Sequence, residues 1–279
     1  MNRLFTGRLT VESLNIAIAD LPENLNGTRL VQLSDFHYEY NGLSDKLLEE
    51  AIEVSNELHP DLVVLTGDYV TENASCIYNL ITKIKYLQSR VGIYAILGNH
   101  DLYHRGARTE IMKGLSSINI KVLWNQVTYP FGPQLALIGL ADFYSHHFNP
   151  TIPFQSIDPN IPRIVLSHNP DSAKSLQKWR VDLQLSGHTH GGQIVFPGVG
   201  PVIPEVIKFM KYLPKPIRSM MPYVKRRSRI IENWGWAQGL HKLGDNHYLY
   251  VNRGLGSYFP GRLFCPPEVT AITLSRKSS

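Results

Sequence analysis

The chain has 279 residues, with 28 Lys and Arg against 23 Asp and Glu, a formal charge of +5. At 43% hydrophobic and 18% charged it is neither disordered nor fibrous, and its length is ample for a real core. Two cysteines, Cys76 and Cys265, show no CxxC spacing, which excludes a cysteine-based zinc site and a disulfide scaffold and suits a reducing compartment.

Strand-like apolar runs alternate with helical patterns. The runs are Arg29 to Asp35 (RLVQLSD), Asp61 to Asp68 (DLVVLTGD), Val91 to Asp101 (VGIYAILGNHD), Arg163 to His168 (RIVLSH) and Asp182 to His190 (DLQLSGHTH). Their continuous Val, Ile and Leu predict strands buried on both faces, in a sheet covered by helices. Between the first two, Leu47, Leu48, Ala51, Ile52 and Leu58 form one helical face, with Ser44 as its N-cap. Between the second and third, Ile77, Leu80, Ile81, Ile84 and Leu87 do the same. Shorter strands are expected at about Lys121 to Asn125, Leu135 to Leu140, Tyr248 to Asn252 and Val269 to Leu274. The alternation gives an α/β layered fold. No run of 18 apolar residues exists, so no segment is expected to span a bilayer. The opening MNRLFTGRLTVESLN has no signal-peptide core, so the expected location is cytoplasmic, with peripheral contact at the inner membrane face open to the basic segment below.

Each of the five long runs ends in residues able to bind a metal: Asp35 and His37, Asp68, Asn99, His168, then His188 and His190. Ligands in open α/β sheets sit at the carboxyl ends of strands, so these residues are placed to converge. In extended chain, residues two apart point the same way, which would let Asp35 with His37, and His188 with His190, each present two side chains together. Gly67, Gly98 and Gly187 allow sharp turns there. Singly, an Asp-x-His is ordinarily a capped turn, a GD pair a turn signal and a lone histidine an interior residue. Five in succession exceed anything packing requires. Oxygen and nitrogen donors without sulfur suit a hard-to-borderline divalent ion. Seven candidates suit two ions sharing a carboxylate, the arrangement that clamps both oxygens of an in-line phosphoester displacement.

SDFH, LTGD, LGNHD, LSHNP and SGHTHGGQ, in that order and spacing, resemble the calcineurin-like metallophosphoesterases. GHTHGGQIVFPG, LYVNRGLG (Leu249 to Gly256) and RLFCPPEVTAITL (Arg262 to Leu274) are similar to the small bacterial phosphodiesterase branch. The resemblance runs from about Leu9 to Leu274. It implies a four-layer α-β-β-α sandwich of two mixed sheets, forming one domain over 1–279. It also implies a first metal on Asp35, His37, Asp68 and His190, and a second on Asp68, Asn99, His168 and His188, with Asp68 bridging. Manganese is the expected ion, with iron, zinc or magnesium as alternatives. By the same resemblance His100 contacts the phosphate and protonates the leaving oxygen, while Asp101 holds its ring. His59 reads as surface, and His104, His146 and His147 as exposed loop residues before pocket residues. Arg253 is equally suited to substrate contact or structure.

From Pro201 to about Trp236 the rhythm breaks into an insertion with five prolines. Between Glu205 and Arg229 lie eight bases and one acid, net +7, which leaves the rest of the chain at −2. Ile203, Val206, Ile207 and Met210, then Ile217, Met220, Met221 and Val224, predict two amphipathic helices divided by Pro214 and Pro216. The favoured reading is an interfacial pair over 203–229 that meets anionic lipid and covers an acyl chain. A solvated lid and a nucleic-acid groove are the rival readings. Some calcineurin-like enzymes hydrolyse UDP-diacylglucosamine beneath a helical lid, so the resemblance implies a lipid-linked or nucleotide-sugar phosphoester, or another small-molecule one. A nuclease, or a membrane-binding scaffold without turnover, are the alternatives. The intact ligand set speaks against a scaffold.

Overall fold

In a computed structural model, residues 7–39, 42–210, 212, 231–258 and 261–277 are described. Three of the long apolar runs become adjacent parallel strands of one sheet: β2 (Arg29–Leu33), β3 (Leu62–Leu65) and β4 (Ile93–Ala95). The other two, β8 (Arg163–Leu166) and β9 (Leu183–Ser186), are parallel neighbours in a second sheet. The first sheet is completed by β1 (Thr10–Ile18), β14 (Glu268–Arg276) and β5 (Lys121–Val122), in the order β1-β14-β2-β3-β4-β5. The second adds β12 (Gly239–Gly244), β13 (His247–Val251), β7 (Ala136–Gly139) and β6 (Gln126–Thr128), in the order β12-β13-β9-β8-β7-β6. Antiparallel β14–β2, β12–β13 and β6–β7 pairs make both sheets mixed.

The sheets pack face to face through an apolar layer in which Leu30, Leu62, Val64 and Ile96 meet Leu137, Ile164, Leu183 and Tyr250. Outside the first sheet lie α1 (Asp45–Glu57), α2 (Ile77–Ile84) and α3 (Ala107–Ser116), which press Leu48, Ile52, Leu80, Ile84 and Ile111 onto Val31, Val63 and Leu65. Ser44 caps α1 as expected, its hydroxyl accepting from Leu47 N at 3.3 Å. Outside the second sheet, α4 (Thr151–Gln155) and α5 (Ser172–Leu176) contribute Phe154 and Leu176. This is the four-layer α-β-β-α sandwich.

The sequence reading missed β1, β6 and β12, and took β5 as longer than it is. All four are edge strands. An edge strand has a neighbour on one side only, so it needs few apolar residues; β12 alternates half-buried and exposed along its length. A small hairpin of β10 (Val195–Phe196) and β11 (Gly200–Pro201) leads from the second sheet into α6 (Val202–Met210), the first helix expected in the insertion. The second expected helix, over 217–224, and every base from Lys211 to Arg229 lie outside the described residues.

Candidate metal centre

The loops after β2, β3, β4, β8 and β9 meet at one end of the sandwich, and all seven candidate ligands lie on them. Asp35, His37 and His190 bring ligand atoms within 4.8 Å of one another; so do Asp68, His168 and His188, and so do His37, Asp68 and His100. Asp68 Oδ2 sits 3.5 Å from His37 Nε2 and 3.1 Å from His168 Nε2, between the two sheets' contributions. Asp35 Oδ1 lies 3.3 Å from His190 Nε2. His37 Nε2 and His190 Nε2 stand 3.0 Å apart, a spacing that two lone pairs tolerate only with a proton or cation between them.

The candidate ligands do not sit in extended chain, as the two-residue alternation expected. Asp35, His37, Asp68, His188 and His190 all have left-handed backbone, with φ of 52, 43, 56, 71 and 52°. Non-glycine residues in this region cost of order 1–3 kcal/mol each and persist where the surroundings over-determine them. Here they do. Asp35 N donates to Gly67 O and His37 N to Asp68 O, zipping the β2 and β3 loops together. The Asp35 carboxylate accepts from His188 N at 3.0 Å, which ties one sheet to the other. A side chain on Gly98 would collide with the Asp68 carboxylate, and one on Gly187 with that of Asp35.

Three histidines are turned inward by oxygens at Nδ1: His168 by Thr66 O (2.7 Å), His37 by Thr71 Oγ1 (3.2 Å) and His190 by Gly256 O (3.3 Å). Each presents Nε2 to the centre, the usual way an outer partner fixes a ligating imidazole. Burial pushes His37 down to about 3, so it stays neutral and able to ligate. Burial works against a charge on His168, yet Asp68 and Asp35 raise it to about 10. Burial also raises Asp35, to about 6, whereas His168, His100 and His37 hold Asp68 well below the usual carboxylate range despite its burial.

Asn99 gives the clearest test of whether these residues fit a metal. Its Oδ1 is one of several buried side-chain atoms among the described residues without a hydrogen-bond partner, whereas buried acceptors in proteins are ordinarily satisfied. An unpaired carbonyl oxygen on the loop next to the converging Asp68, His168 and His188 completes a donor set suited to a hard-to-borderline divalent cation. The residues fit.

One expected contact is corrected. Asp101 does not hold the His100 ring: Thr71 O meets His100 Nδ1 at 2.8 Å. The Asp101 carboxylate instead accepts three backbone N–H groups, from Asp68 (2.8 Å), Tyr69 (2.9 Å) and Gly98 (2.9 Å). It fastens the Asp68 and Asn99 loops together. Burial and the Asp68 charge raise its pKa to about 8, but both its oxygens face donors, a geometry that suits the carboxylate. Arg253 resolves as structural, within 2.6 Å of Glu12 and 2.9 Å of Glu268.

The sequence reading also missed two supports. Glu39 Oε1 accepts from the backbone of Thr71 (2.9 Å), Glu72 (2.7 Å) and Asn73 (2.8 Å), setting the loop whose Thr71 reaches both His37 and His100. Arg262 is fully buried and donates to Arg253 O (2.6 Å), Gly254 O (3.0 Å) and Gly256 O (2.6 Å). The strap it holds donates Gly256 N to Asp35 O at 2.7 Å. Neither residue carries a local signal, because each acts on backbone that the fold brings to it.

Two packed mixed sheets with oxygen and nitrogen ligands gathered at their strand ends define a metallophosphoesterase. The chain belongs to the calcineurin-like phosphoesterases, hydrolases whose family model matches residues 28–192. It is 33% identical over 272 residues to phosphodiesterase YaeI of Escherichia coli, covering 94% of this chain and 88% of that one. The uncharacterized metallophosphoesterase YkuE of Bacillus subtilis is 30% identical, over 91% of this chain and 81% of its own. A UDP-2,3-diacylglucosamine pyrophosphatase, LpxG of Chlamydia muridarum, is 28% identical over 88% and 83%. One solved crystal structure aligns over 80% of this chain and 90% of its own with a TM-score of 0.50 at 11% identity, a likeness of fold. Among the described residues no helix is long and apolar enough to cross a membrane.

Proposed function

We propose that this hydrolase uses two divalent cations to cleave a phosphodiester or pyrophosphate bond in a lipid-linked nucleotide-sugar substrate such as UDP-diacylglucosamine. The observation that carries the two-metal reading is Asp68 Oδ2 lying between His37 and His168 while Asn99 Oδ1 is buried without a partner. Asp35, His37, Asp68 and His190 would hold one cation, and Asp68, Asn99, His168 and His188 the other. Bound cations would supply Lewis acidity toward the phosphoryl oxygens and an acidified water. The chain's own contribution beyond ligation is His100. Its Nδ1 is engaged by Thr71 O, which leaves Nε2 to carry a proton to the leaving-group oxygen.

The lipid part of the reading rests on the segment after the last ligand. Phe196, Val199, Phe209 and Tyr212 are 48, 67, 62 and 87% exposed, a concentration of apolar surface beginning six residues beyond His190. Lys208, on the same helix as Phe209, points its charge to solvent beside Glu205. Such a surface suits contact with acyl chains and an anionic membrane interface. LpxG, similar to this chain, carries a lipid-linked substrate in its name.

The test is manganese-dependent hydrolysis of bis-p-nitrophenyl phosphate, then of UDP-diacylglucosamine, phospholipids, cyclic nucleotides and single-stranded DNA. Asp68→Asn and His188→Ala should abolish turnover; full activity in both refutes the metal reading. Preference for an oligonucleotide over the lipid substrate refutes the lipid reading.

A further inference from the structure

The His100 ring is anchored at Nδ1, 2.8 Å from Thr71 O. One such bond fixes a point, not a plane. The ring can still pivot about it and carry Nε2 away from the place a leaving oxygen would take. Proton transfer needs that nitrogen within roughly 2.6–3.2 Å of the oxygen, so a modest pivot ends it.

Two ring contacts restrain the pivot. His37 and His100 meet edge to face, with centroids 4.8 Å apart and planes at 82°. Tyr103 lies nearly parallel to His100, with centroids 5.6 Å apart and planes at 24°. That separation is within the range of favourable aromatic pairs, about 4.5–7 Å. Local sequence sets up the stack: His100–Leu102 is one turn of 3-10 helix, closed by Tyr103 N donating to His100 O at 3.2 Å. Side chains three apart eclipse in such a helix, so the backbone itself lays Tyr103 over His100.

Packing does not ask for a tyrosine here. Tyr103 is 50% exposed and belongs to none of the apolar clusters among the described residues, whereas its neighbour Leu102 packs against the core. Its ring also meets that of His104 at 5.7 Å. His104, with His146 and His147, is exposed, as expected, along an open cavity that also borders Asn99. A large aromatic left half in water, stacked on the candidate proton donor, has its use at the ring it covers.

We propose that Tyr103 is a positioning residue for the hydrolysis: its ring holds the His100 imidazole so that Nε2 faces the leaving-group oxygen. The inference rests on the role proposed above for His100 and adds the residue that keeps it in place. In that step water adds to phosphorus, the P–O bond to the leaving group breaks, and the His100 proton goes to the departing oxygen. Tyr103 acts through the imidazole and makes no bond to substrate, so phenylalanine should serve in its place and alanine should not.

Leaving groups of different basicity separate positioning from a merely structural role. p-Nitrophenolate departs readily without a proton, whereas the more basic phenolate departs poorly without one. In manganese-loaded protein, kcat and KM are measured for methyl p-nitrophenyl phosphate and methyl phenyl phosphate in wild type, Tyr103→Phe, Tyr103→Ala and His100→Gln. General-acid help is worth about 10²–10⁴-fold, and misplacing the acid forfeits part of it. Tyr103→Ala should therefore lower kcat about tenfold on the phenyl ester and less than about threefold on the p-nitrophenyl ester, with KM little changed. Tyr103→Phe should keep kcat within about twofold of wild type. His100→Gln should show the same selective loss, and a larger one. Because Tyr103 is exposed, its replacement leaves the core intact. A Tyr103→Ala loss equal on the two esters, or no loss, overturns the positioning role; so does a Tyr103→Phe variant as slow as Tyr103→Ala. If His100→Gln shows no selective loss, the acid role of His100 is refuted and this inference falls with it.

Discussion

Replacing Asp101 with asparagine separates a structural brace from a catalytic partner. The carboxylate is fully buried and accepts three backbone N–H groups, two at Oδ2 and one at Oδ1. An asparagine oxygen can keep the Asp68 and Gly98 bonds, but its amide then faces Tyr69 N, donor against donor. One buried N–H left unsatisfied costs about 1–3 kcal/mol, and the two surviving bonds lose the contribution of a charged acceptor. The sum is about 3 kcal/mol, a fall in Tm of about 6–12 °C for a chain of this size. Turnover should fall too, because Asp68 N and Gly98 N anchor the loops that carry Asp68 and Asn99. The assay pairs thermal melting of the manganese-loaded protein with bis-p-nitrophenyl phosphate hydrolysis, and uses His100→Gln as reference. His100→Gln should lose turnover with Tm nearly unchanged. If Asp101→Asn behaves the same way, with lost kcat and intact Tm, the brace is wrong and Asp101 works through the His100 ring.

Glu39→Ala should lower kcat tenfold or more while shifting Tm only slightly, since its three donors can be rehydrated but Thr71 is no longer held against His37 and His100; wild-type kcat would refute the link. Gly98→Ala should lose manganese binding by calorimetry, because its Cβ would occupy the place of the Asp68 carboxylate. Stability should also follow His168. Its pKa is raised from 6.5 to about 10, so the proton's stabilisation of metal-free protein is complete below 6.5 and lost as pH climbs through about 10. A bound cation replaces that proton, so the rise in Tm on adding manganese should grow with pH across this window; a shift constant with pH would refute it. Arg253→Met should lower Tm, by breaking the pairs with Glu12 and Glu268, without changing KM for a nucleotide diester.

The buried strands were legible because burial on both faces forces a run of apolar residues, as in Leu62–Leu65. The candidate ligands were legible because chemistry constrains their type and strand ends constrain their place. Edge strands left little trace, since β1 and β12 are half solvated and their partners lie elsewhere in the chain. The braces left none. Asp101 stands next to His100 in sequence, so adjacency suggested a ring contact, yet the carboxylate turns toward backbone 32 and 33 residues earlier.

The pairing of β14 with both β1 and β2 has a consequence for how the chain is made. Nine residue pairs join Thr10–Ile18 to Glu268–Arg276, and β14 lies between the first two strands of the sequence. A nascent chain can therefore emerge with every candidate ligand already outside the ribosome and still lack the strand that closes the sheet. The strap at 254–256 that grips Asp35 arrives in the same late stretch. Contacts of such long sequence separation form slowly. Synthesis of residues 254–276 is thus a checkpoint: until it is passed, the acidic and imidazole groups belong to a chain whose first sheet is not yet closed.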